Sequence, residues 1–275
     1  MTAPHPVPDQ IGPYRIVREI GKGGYARVYL GEDSAGRLFA VKLHFRNRKK
    51  ALRRFYREFS ILSEQDHPAM PRAHHFGEQD GSPWMSMQWV QGETAITDVR
   101  MFGRAGSAPR VYRARRVMTG VADALTWLHS QNLLHCDIKP DNVLVRPNGT
   151  ITLVDFGAAR WMDPDTCSAK SIRFVGTRSY AALELLTAQP TTPRTDIFSM
   201  GVMAYKLLTG RRPYPRGNAD TAIEILRKAA PKPPIEWCPG ISSSLSDLVL
   251  EMLALKPENR PNNTEIVSRR LRHAD

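Results

Sequence analysis

The sequence predicts an α+β fold of two lobes, a small β-rich lobe followed by a larger helical one. Strand patterns dominate up to about residue 90 and helical spacing dominates after it, which is typical of segregated sheets and helices. A length of 275 residues fits one large two-lobed domain. A hydrophobic content of 41% with 24% charged residues excludes a disordered chain or a coiled coil. We expect a flexible leader over 1–13, a first lobe over about 14–90 and a second over about 91–271.

The first lobe is expected to contain four strands and one helix. The predicted strands are Tyr14–Ile20, Arg27–Glu32, Arg37–His44 and Trp84–Val90. A glycine-rich turn joins the first two strands. Residues 49–64 change to apolar positions three or four apart, which predicts an amphipathic helix.

The second lobe is expected to be mainly helical. Its predicted elements are a helix from about Val111, a hairpin of Val143–Val145 and Thr150–Val154, a buried helix over Ile197–Leu208, and a final helix from about Thr264. Asn148-Gly149 between alternating strands is a strong hairpin signal. Gly210 supplies the expected stop of the buried helix, which is apolar nearly all round.

The positive charge is local. The net charge is +12, and two stretches without acids, residues 46–57 and 100–116, hold seven and six basic residues. Outside them the basic and acidic residues nearly balance. Two interpretations stay open: an acidic or otherwise anionic partner binds these stretches, or they are solvated helix faces. A nucleic acid is the less favoured partner, because a charge run alone does not recognise bases.

The cysteines and the apolar segments predict a cytoplasmic protein. The three cysteines are scattered and lack metal-ligand spacing, as expected of a reduced compartment. No apolar run approaches the roughly 18 residues of a membrane span, and the N-terminus lacks the basic start of a signal peptide.

Two segments of the first lobe have the residue types that hold phosphates. Gly21–Val28 is a glycine-rich strand–turn–strand, which lets backbone N–H groups approach phosphate oxygens. Alone this signal is weak, and a dinucleotide fingerprint is disfavoured because a strand follows the glycines. Lys42 lies in an apolar strand. Its ammonium either reaches the surface or holds a phosphate with Glu58 as its carboxylate partner.

The second lobe has the stronger signal. His135-Cys136-Asp137-Ile138-Lys139-Pro140-Asp141-Asn142 and Asp155-Phe156-Gly157 bracket the short predicted hairpin, so their polar groups can converge. Asn142 and Asp155 offer the hard oxygen ligands that Mg²⁺ prefers. Asp137 remains to accept a proton.

Taken together, these segments resemble the eukaryotic-type (Hanks-type) protein kinase family, most of all its bacterial members. The resemblance runs from about Tyr14 to Leu271 and implies the bilobal protein-kinase-like fold. Lys139, in Asp-Ile-Lys-Pro-Asp-Asn, is typical of serine/threonine kinases. The implied reaction is transfer of the γ-phosphoryl group of ATP to Ser/Thr hydroxyls of proteins, the kinase itself included, with Mg²⁺ or alternatively Mn²⁺.

The resemblance also implies individual roles. Asp137 would be the catalytic base, Lys139 would neutralise the γ-phosphate, and Thr177 would complete the substrate-hydroxyl site. Asn142 and Asp155 would bind the metal. The implied nucleotide-binding residues are Ile20, Gly21, Gly23, Val28, Ala40, Lys42, Glu58, Met87, Gln88, Val90 and Leu144.

Three further residues match structural features of the family. Glu184 and Arg260 would form a buried ion pair. Asp196 would brace the backbone of the catalytic loop.

One departure and two alternative functions matter. Cys136 replaces the arginine that pairs with an activation-segment phosphate in the family, so we expect activity to depend little on phosphorylation there. A pseudokinase scaffold is disfavoured because Lys42, Asp137 and Asp155 are all present. A small-molecule phosphotransferase is disfavoured because Gly176–Glu184 resembles the end of a protein kinase activation segment.

Overall fold

The computed structural model describes residues 7–45, 49–162, 174–215, 217, 221–228 and 230–274. The chain divides into two compact units, one ending at Gln91 and one beginning at Gly92. The described part of the first unit is mainly β-sheet and that of the second mainly helical. The α+β class predicted from the sequence is therefore confirmed.

The first unit is an antiparallel sheet with one helix. Its elements are β1 (Gln10–Ile11), β2 (Tyr14–Lys22), β3 (Ala26–Glu32), β4 (Leu38–His44), α1 (Lys49–Glu64), β5 (Ala73–Gln79) and β6 (Ser82–Gln88). The strand order in the sheet is β1-β2-β3-β4-β6-β5. Helix α1 begins and ends where the sequence predicts it. Strand β5 was not predicted, because Ala73–Gln79 lacks alternating apolar residues.

An indole ring fills the core of this sheet. Trp84 packs in a buried cluster with Ile11, Tyr14, Tyr29 and Val41. The cluster tolerates the large ring because two neighbouring positions are glycines. A Cβ at Gly12 or Gly77 would lie 2.2 or 2.6 Å from Trp84 Cζ2, closer than any real contact.

The predicted flexible leader over 1–13 is wrong for its second half. Ile11 is fully buried, and Gln10–Ile11 pairs with Tyr14–Arg15. The Gln79 side chain accepts from the Gly12 N–H at 2.8 Å and donates to the Gln10 carbonyl at 3.0 Å. One apolar residue in a polar run gives no strand signal, so this strand is visible only through its partners. Residues 1–6 lie outside the described residues.

The second unit contains the remaining elements. They are β7 (Glu93–Thr94), α2 (Ala95–Arg100), α3 (Ala108–Ser130), β8 (Leu133–Leu134), β9 (Val143–Val145), β10 (Ile151–Leu153), β11 (Arg160–Trp161), α4 (Leu183–Leu186), α5 (Pro193–Thr209), α6 (Ala222–Lys228), α7 (Pro234–Trp237), α8 (Ser243–Met252) and α9 (Thr264–His273). Strands β10-β9-β7 and β11-β8 form two small sheets. Across the described ranges, no helix is long and apolar enough to cross a lipid bilayer.

Helix α5 is the buried helix that the sequence predicts, although it begins four residues earlier. Thr192 and Thr195 form a reciprocal capping box, which satisfies N–H groups at the helix start. Pro193 occupies the first turn, where a missing N–H costs nothing. Gly210 ends the helix at φ +71°, a conformation that glycine adopts without strain. Periodicity alone does not show such caps.

The basic stretch over 100–116 is not a continuous free surface. Arg110 is buried and donates to the Leu207 carbonyl at 3.1 Å. Arg113 makes two 2.7 Å bonds to Asp98, an acid just before the stretch. Because both guanidinium groups are bonded within the protein, Arg110 and Arg113 are not available to bind an anionic partner. In the other stretch, residues 46–48 and the side chains of 49–51 lie outside the described part of the structure.

Candidate functional site

The first unit holds a buried lysine–carboxylate pair. Lys42 Nζ lies 2.7 and 2.8 Å from the two carboxylate oxygens of Glu58. The Glu58 side chain is 3% exposed and the Lys42 side chain 13%, so the ammonium keeps a narrow opening to solvent. Strand β4 positions the lysine and helix α1 positions the glutamate. The pairing expected from the sequence is therefore present.

Several predicted nucleotide-binding residues share one face of the sheet. Val28 is the register partner of Lys42, and Ala40 is the register partner of Met87. Directly opposed residues of antiparallel strands project to the same face, as do residues two apart on one strand. Val28, Ala40, Lys42 and Met87 consequently form one surface.

The glycine-rich hairpin lies at the end of β2 and β3. Gly21 pairs with Val28 across the two strands, and the Gly23 N–H donates to the Ala26 carbonyl at 2.9 Å. Ile20, beside Gly21, is 36% exposed. A Cβ added at Gly24 would meet no atom within 4 Å. The space over this turn is therefore open.

The last residue of β6 and the segment after it hold the other predicted adenine contacts of this unit. The N–H of Gln88 donates to the Arg72 carbonyl at 2.8 Å, so that donor is already used. Val90 is buried, with 7% of its surface exposed. Leu144 belongs to the second unit, in β9 between Thr94 and Thr152.

The second unit holds a closed network around one carboxylate. Lys139 Nζ lies 2.8 Å from Asp137 Oδ2 and 2.8 Å from Thr177 Oγ1. The Thr177 N–H donates to Asp137 Oδ1 at 2.8 Å, and Asn142 Nδ2 donates to Oδ2 at 3.0 Å. Both oxygens of Asp137 are thus fixed by donors, and its side chain is only 7% exposed. The three residues predicted to be catalytic are brought together.

The backbone beside this carboxylate favours glycine. Gly176 has φ +125°, a conformation that other residues rarely adopt. A Cβ there would lie 3.1 Å from Asp137 Oδ1 and 3.3 Å from the Cys136 carbonyl. A side chain at 176 would therefore strain the backbone where residues 176–177 approach Asp137.

Asn142 and Asp155 are joined through their backbones. The Val154 N–H donates to the Asn142 carbonyl at 2.9 Å, which places the next residue, Asp155, beside Asn142. The Asn142 amide nitrogen donates to Asp137, so its amide oxygen is the atom that can ligate a cation. Asp155 itself has φ +63°, a left-handed conformation that aspartate tolerates better than most residues.

A carboxylate and an amide oxygen match the hard donors that Mg²⁺ prefers, with phosphate oxygens and waters completing the shell. Among the described residues, no group of three or more His, Cys, Asp or Glu side chains could hold a metal. The donor set therefore fits a cation bound together with a phosphate ligand rather than an all-protein site.

A buried aspartate braces residues 135–142, the segment expected to form the catalytic loop. Asp196, at the start of α5, accepts from the His135 and Cys136 N–H groups at 2.9 and 2.8 Å and is 2.9 Å from His129 Nε2. Burial alone would raise the pKa of Asp196, but the hydrogen bond and charge of His129, with those of His135, hold it below its ordinary value. Asp196 therefore acts as a charged acceptor at the base of the loop.

His135 supports the same loop from inside. Its ring packs on Phe156 at 4.8 Å between centroids, and its Nε2 lies 3.2 Å from the Val154 carbonyl. Burial lowers the pKa of His135, although the neighbouring carboxylates act in the opposite direction.

Cys136 anchors an apolar cluster. It is buried with Leu134, Ala158, Ala181 and Leu185, against which Met162, Phe174, Val175 and Leu186 pack. Its backbone has φ +60°, a conformation that Asp196 helps to hold. Side chains from residues 135–142 and from both sides of residues 163–173 thus meet in one cluster. Cys136 stands there in place of the phosphate-binding arginine of the family that the sequence resembles.

Glu184 and Arg260 form the expected buried ion pair. Two bonds of 2.6 and 3.1 Å join them, and the Arg260 side chain is fully buried. Its remaining donors bond the carbonyls of Ala254, Leu255 and Arg194. The pair ties α4 to the segment before α9.

Sequence reasoning missed His129 as the partner of Asp196. A signal existed, because His129 follows Val121 and Leu125 at intervals of four, on the buried face of α3. A polar side chain at such a position needs a partner inside the fold.

Comparison with known proteins gives a consistent family. The protein kinase domain family matches residues 14–271. The probable serine/threonine-protein kinase PknB of Lactococcus lactis subsp. lactis is 31% identical over 259 residues, covering 92% of this chain and 40% of that protein. Serine/threonine-protein kinase pkn2 of Myxococcus xanthus is 33% identical over 263 residues, covering 92% and 31%. Serine/threonine-protein kinase PknF of Mycobacterium tuberculosis is 30% identical over 271 residues, covering 94% and 56%.

The chain thus spans about a third to just over a half of the length of these relatives. Members of the family use ATP and a divalent cation. The matched region includes both the Lys42–Glu58 pair and the Asp137 network. The chain belongs to the protein kinase family and is similar to its bacterial serine/threonine members, as the sequence predicted.

Proposed function

We propose that this protein transfers the γ-phosphoryl group of Mg·ATP to serine or threonine hydroxyls of protein substrates, itself included. The Lys139 ammonium between Asp137 Oδ2 and Thr177 Oγ1, at 2.8 Å from each, carries the proposal. A carboxylate fixed beside a hydroxyl-bearing segment and a cation is the arrangement that orients an acceptor hydroxyl for phosphoryl transfer. We propose residues 14–271 as the kinase domain, in a cytoplasmic protein.

In the first unit, Lys42 would bind the α/β-phosphates and Glu58 would hold its ammonium in place. The surface formed by Val28, Ala40 and Met87, with Ile20, would contact the adenine. Because the Gln88 N–H is already bonded to Arg72, its carbonyl and the backbone of Val90 are the groups left for adenine. Gly21 and Gly23 would let the hairpin approach the phosphates.

In the second unit, the Asn142 amide oxygen and the Asp155 carboxylate would hold Mg²⁺, with Mn²⁺ as the alternative. When bound, the cation neutralises developing charge on the phosphates. Leu144 would contact the adenine from this unit.

The chain's own residues then account for the transfer. Asp137 would orient the acceptor hydroxyl and accept its proton as the oxygen–phosphorus bond forms and the bond to ADP breaks. Lys139 would neutralise charge on the transferred group. The Thr177 hydroxyl would complete the acceptor site.

Two other functions are less well supported. A pseudokinase scaffold is not favoured, because the lysine pair, the fixed Asp137 and the two metal-ligand candidates are all present. A small-molecule phosphotransferase does not explain the Thr177 segment bonded to Asp137.

The test is transfer of label from γ-labelled ATP to a generic protein substrate and to the kinase itself. We compare wild type with Asp137→Asn, using Asp247→Asn as the matched control because Asp247 is exposed on α8. Serine or threonine labelling that Asp137→Asn loses and Asp247→Asn keeps would support the proposal. Wild-type protein that binds Mg·ATP and labels no protein would overturn it.

A further inference from the structure

Three cations surround the short turn that follows Thr177. We call them the basic platform: Arg178, Lys206 and Arg212. The Arg178 guanidinium lies 5.5 Å from the centre of the Phe174 ring. Lys206 Nζ donates to the Tyr180 hydroxyl at 3.0 Å, and the Arg212 guanidinium lies 5.9 Å from the Tyr180 ring centre. Contacts with aromatic faces hold cations in place without cancelling their charge.

The basic platform lacks an acidic counter-charge among the described residues, where none of its three cations forms an ion pair. The nearby Glu184 is buried and forms its ion pair with Arg260. Arg178 is exposed and the other two cations are partly exposed. As far as the described ranges extend, the platform therefore presents positive charge without an acidic partner.

A neighbouring aromatic site differs in this respect. The Arg211 guanidinium lies 4.0 Å from the centre of the Trp237 ring. The exposed Glu236 precedes that tryptophan and contributes to the electrostatic surroundings of Tyr205. Because an acid already lies beside this second site, it is not part of the basic platform.

The platform begins beside the proposed acceptor site. Arg178 directly follows Thr177, whose hydroxyl is 2.8 Å from Lys139. The Tyr180 N–H donates to the Thr177 carbonyl at 2.9 Å, so residues 177–180 form a single turn, across which Cα atoms lie less than about 7 Å apart. An extended peptide advances about 3.3 Å per residue. Its side chains within about four residues of the acceptor can therefore reach the platform.

We propose that the basic platform selects protein segments that carry aspartate or glutamate within about four residues of the acceptor serine or threonine. This inference rests on the proposed kinase function and names the substrate class of the same site. Carboxylates gain a charge-assisted contact with these cations, whereas lysine or arginine near the acceptor is repelled.

The experiment uses three peptides with the same acceptor, flanked by Asp/Glu, by Asn/Gln or by Lys. We compare kcat/KM for each peptide within each variant, so that a general loss of activity cancels in the ratio. An exposed ion pair changes affinity by up to about fivefold. Two such pairs of about threefold each should therefore let the acidic peptide exceed the neutral one in kcat/KM by about tenfold. This preference should shrink in high salt, because the screening length falls from about 8 Å at 0.15 M to about 3 Å at 1 M.

Two variants and one control distinguish the loss of the platform's charge from a general disturbance of the folded protein. Arg178→Gln/Arg212→Gln should bring the acidic-to-neutral ratio close to one, and Arg212→Glu alone should lower it if the double variant is inactive. Arg269→Gln is the matched control, because Arg269 is an exposed arginine on α9, which packs on α3. It should keep the wild-type ratio.

The outcomes distinguish this inference from the proposed function. Equal phosphorylation of the acidic and neutral peptides by wild type would leave the kinase intact and overturn the platform. Transfer to none of the peptides would count against the proposed function. Fluorescence anisotropy of labelled peptides then decides on the platform: tighter binding of the acidic peptide that Arg178→Gln/Arg212→Gln removes supports it, and equal binding overturns it.

Discussion

Replacing Asp196 with asparagine should destabilise the second unit and slow catalysis together. Asp196 is fully buried and accepts from two backbone N–H groups, at 2.9 and 2.8 Å. A hydrogen bond to a charged group contributes about 1.5–3 kcal/mol, and an unsatisfied buried N–H costs about 1–3 kcal/mol. Asparagine keeps one oxygen and turns its NH₂ group towards a donor. We therefore expect a loss of about 2–4 kcal/mol in the free energy of unfolding.

The catalytic effect follows from the backbone that Asp196 holds. Cys136, next to Asp137, has φ +60°, a conformation that costs about 1–3 kcal/mol and persists only where its surroundings enforce it. Losing the brace lets the loop relax and moves Asp137 away from Lys139 and Thr177. We expect kcat to fall more than the KM for ATP changes.

The assay is thermal unfolding followed by circular dichroism, with steady-state phosphoryl transfer on the same preparation. For a chain of this size each kcal/mol lowers the Tm by about 2–4 °C, so the expected drop is roughly 5–15 °C. Asp247→Asn, an exposed change of the same chemistry, should unfold like wild type. An Asp196→Asn protein with wild-type Tm and wild-type kcat would refute the reasoning.

Four further predictions concern other residues. Lys42→Met should lower kcat/KM for ATP by about 10²–10³-fold and should also lower the Tm, because it removes a cation bonded to the buried Glu58 carboxylate; retained activity would contradict its phosphate role. Glu184→Gln should cost about 3–5 kcal/mol in urea unfolding, because the buried Arg260 guanidinium loses its counter-charge; adding Arg260→Met should restore part of that loss. Burial lowers the pKa of His44 in the folded protein. As the pH drops below about 6.5, the histidine of the unfolded chain is protonated more readily than that of the folded chain, so the free energy of unfolding should fall. Urea midpoints at pH 7.5 and 5.5 measure this, and His44→Asn should reduce the difference. Phosphatase treatment should leave turnover nearly unchanged, since Cys136 offers no phosphate contact; a large loss would show that prediction to be wrong.

Local patterns predicted most elements, and they predicted the ends where the apolar spacing is regular. Helix α1 was predicted with its observed bounds because its apolar spacing is regular. The start of α5 was missed, since the Thr192–Thr195 cap is made by polar side chains. Strands β1 and β5 lack alternation and form because neighbouring strands supply their hydrogen bonds.

The candidate site was predicted through the family resemblance more than through local chemistry. The contacts of Lys139 with Thr177 and of Arg260 with Glu184 join segments far apart in the sequence, and spacing alone does not predict such pairs. The apolar cluster around Cys136 was not predicted either. A cysteine in place of an arginine shows what contact is lost, whereas the packing that replaces it depends on the tertiary structure.

The left-handed backbone of Gly176 has a consequence for how this kinase can change its targets. A substitution at position 176 would be strained, because of its positive φ and because a Cβ there would press on the carboxylate proposed to orient the acceptor. Two residues later the constraint ends, and Arg178 projects into solvent. On the roles proposed for Asp137 and for the basic platform, a change of charge at 178 and 212 can alter the substrate preference without touching the residues that carry out phosphoryl transfer. Positions 176 and 178 of one short loop are thus proposed to serve different purposes, the first catalysis and the second the choice of substrate.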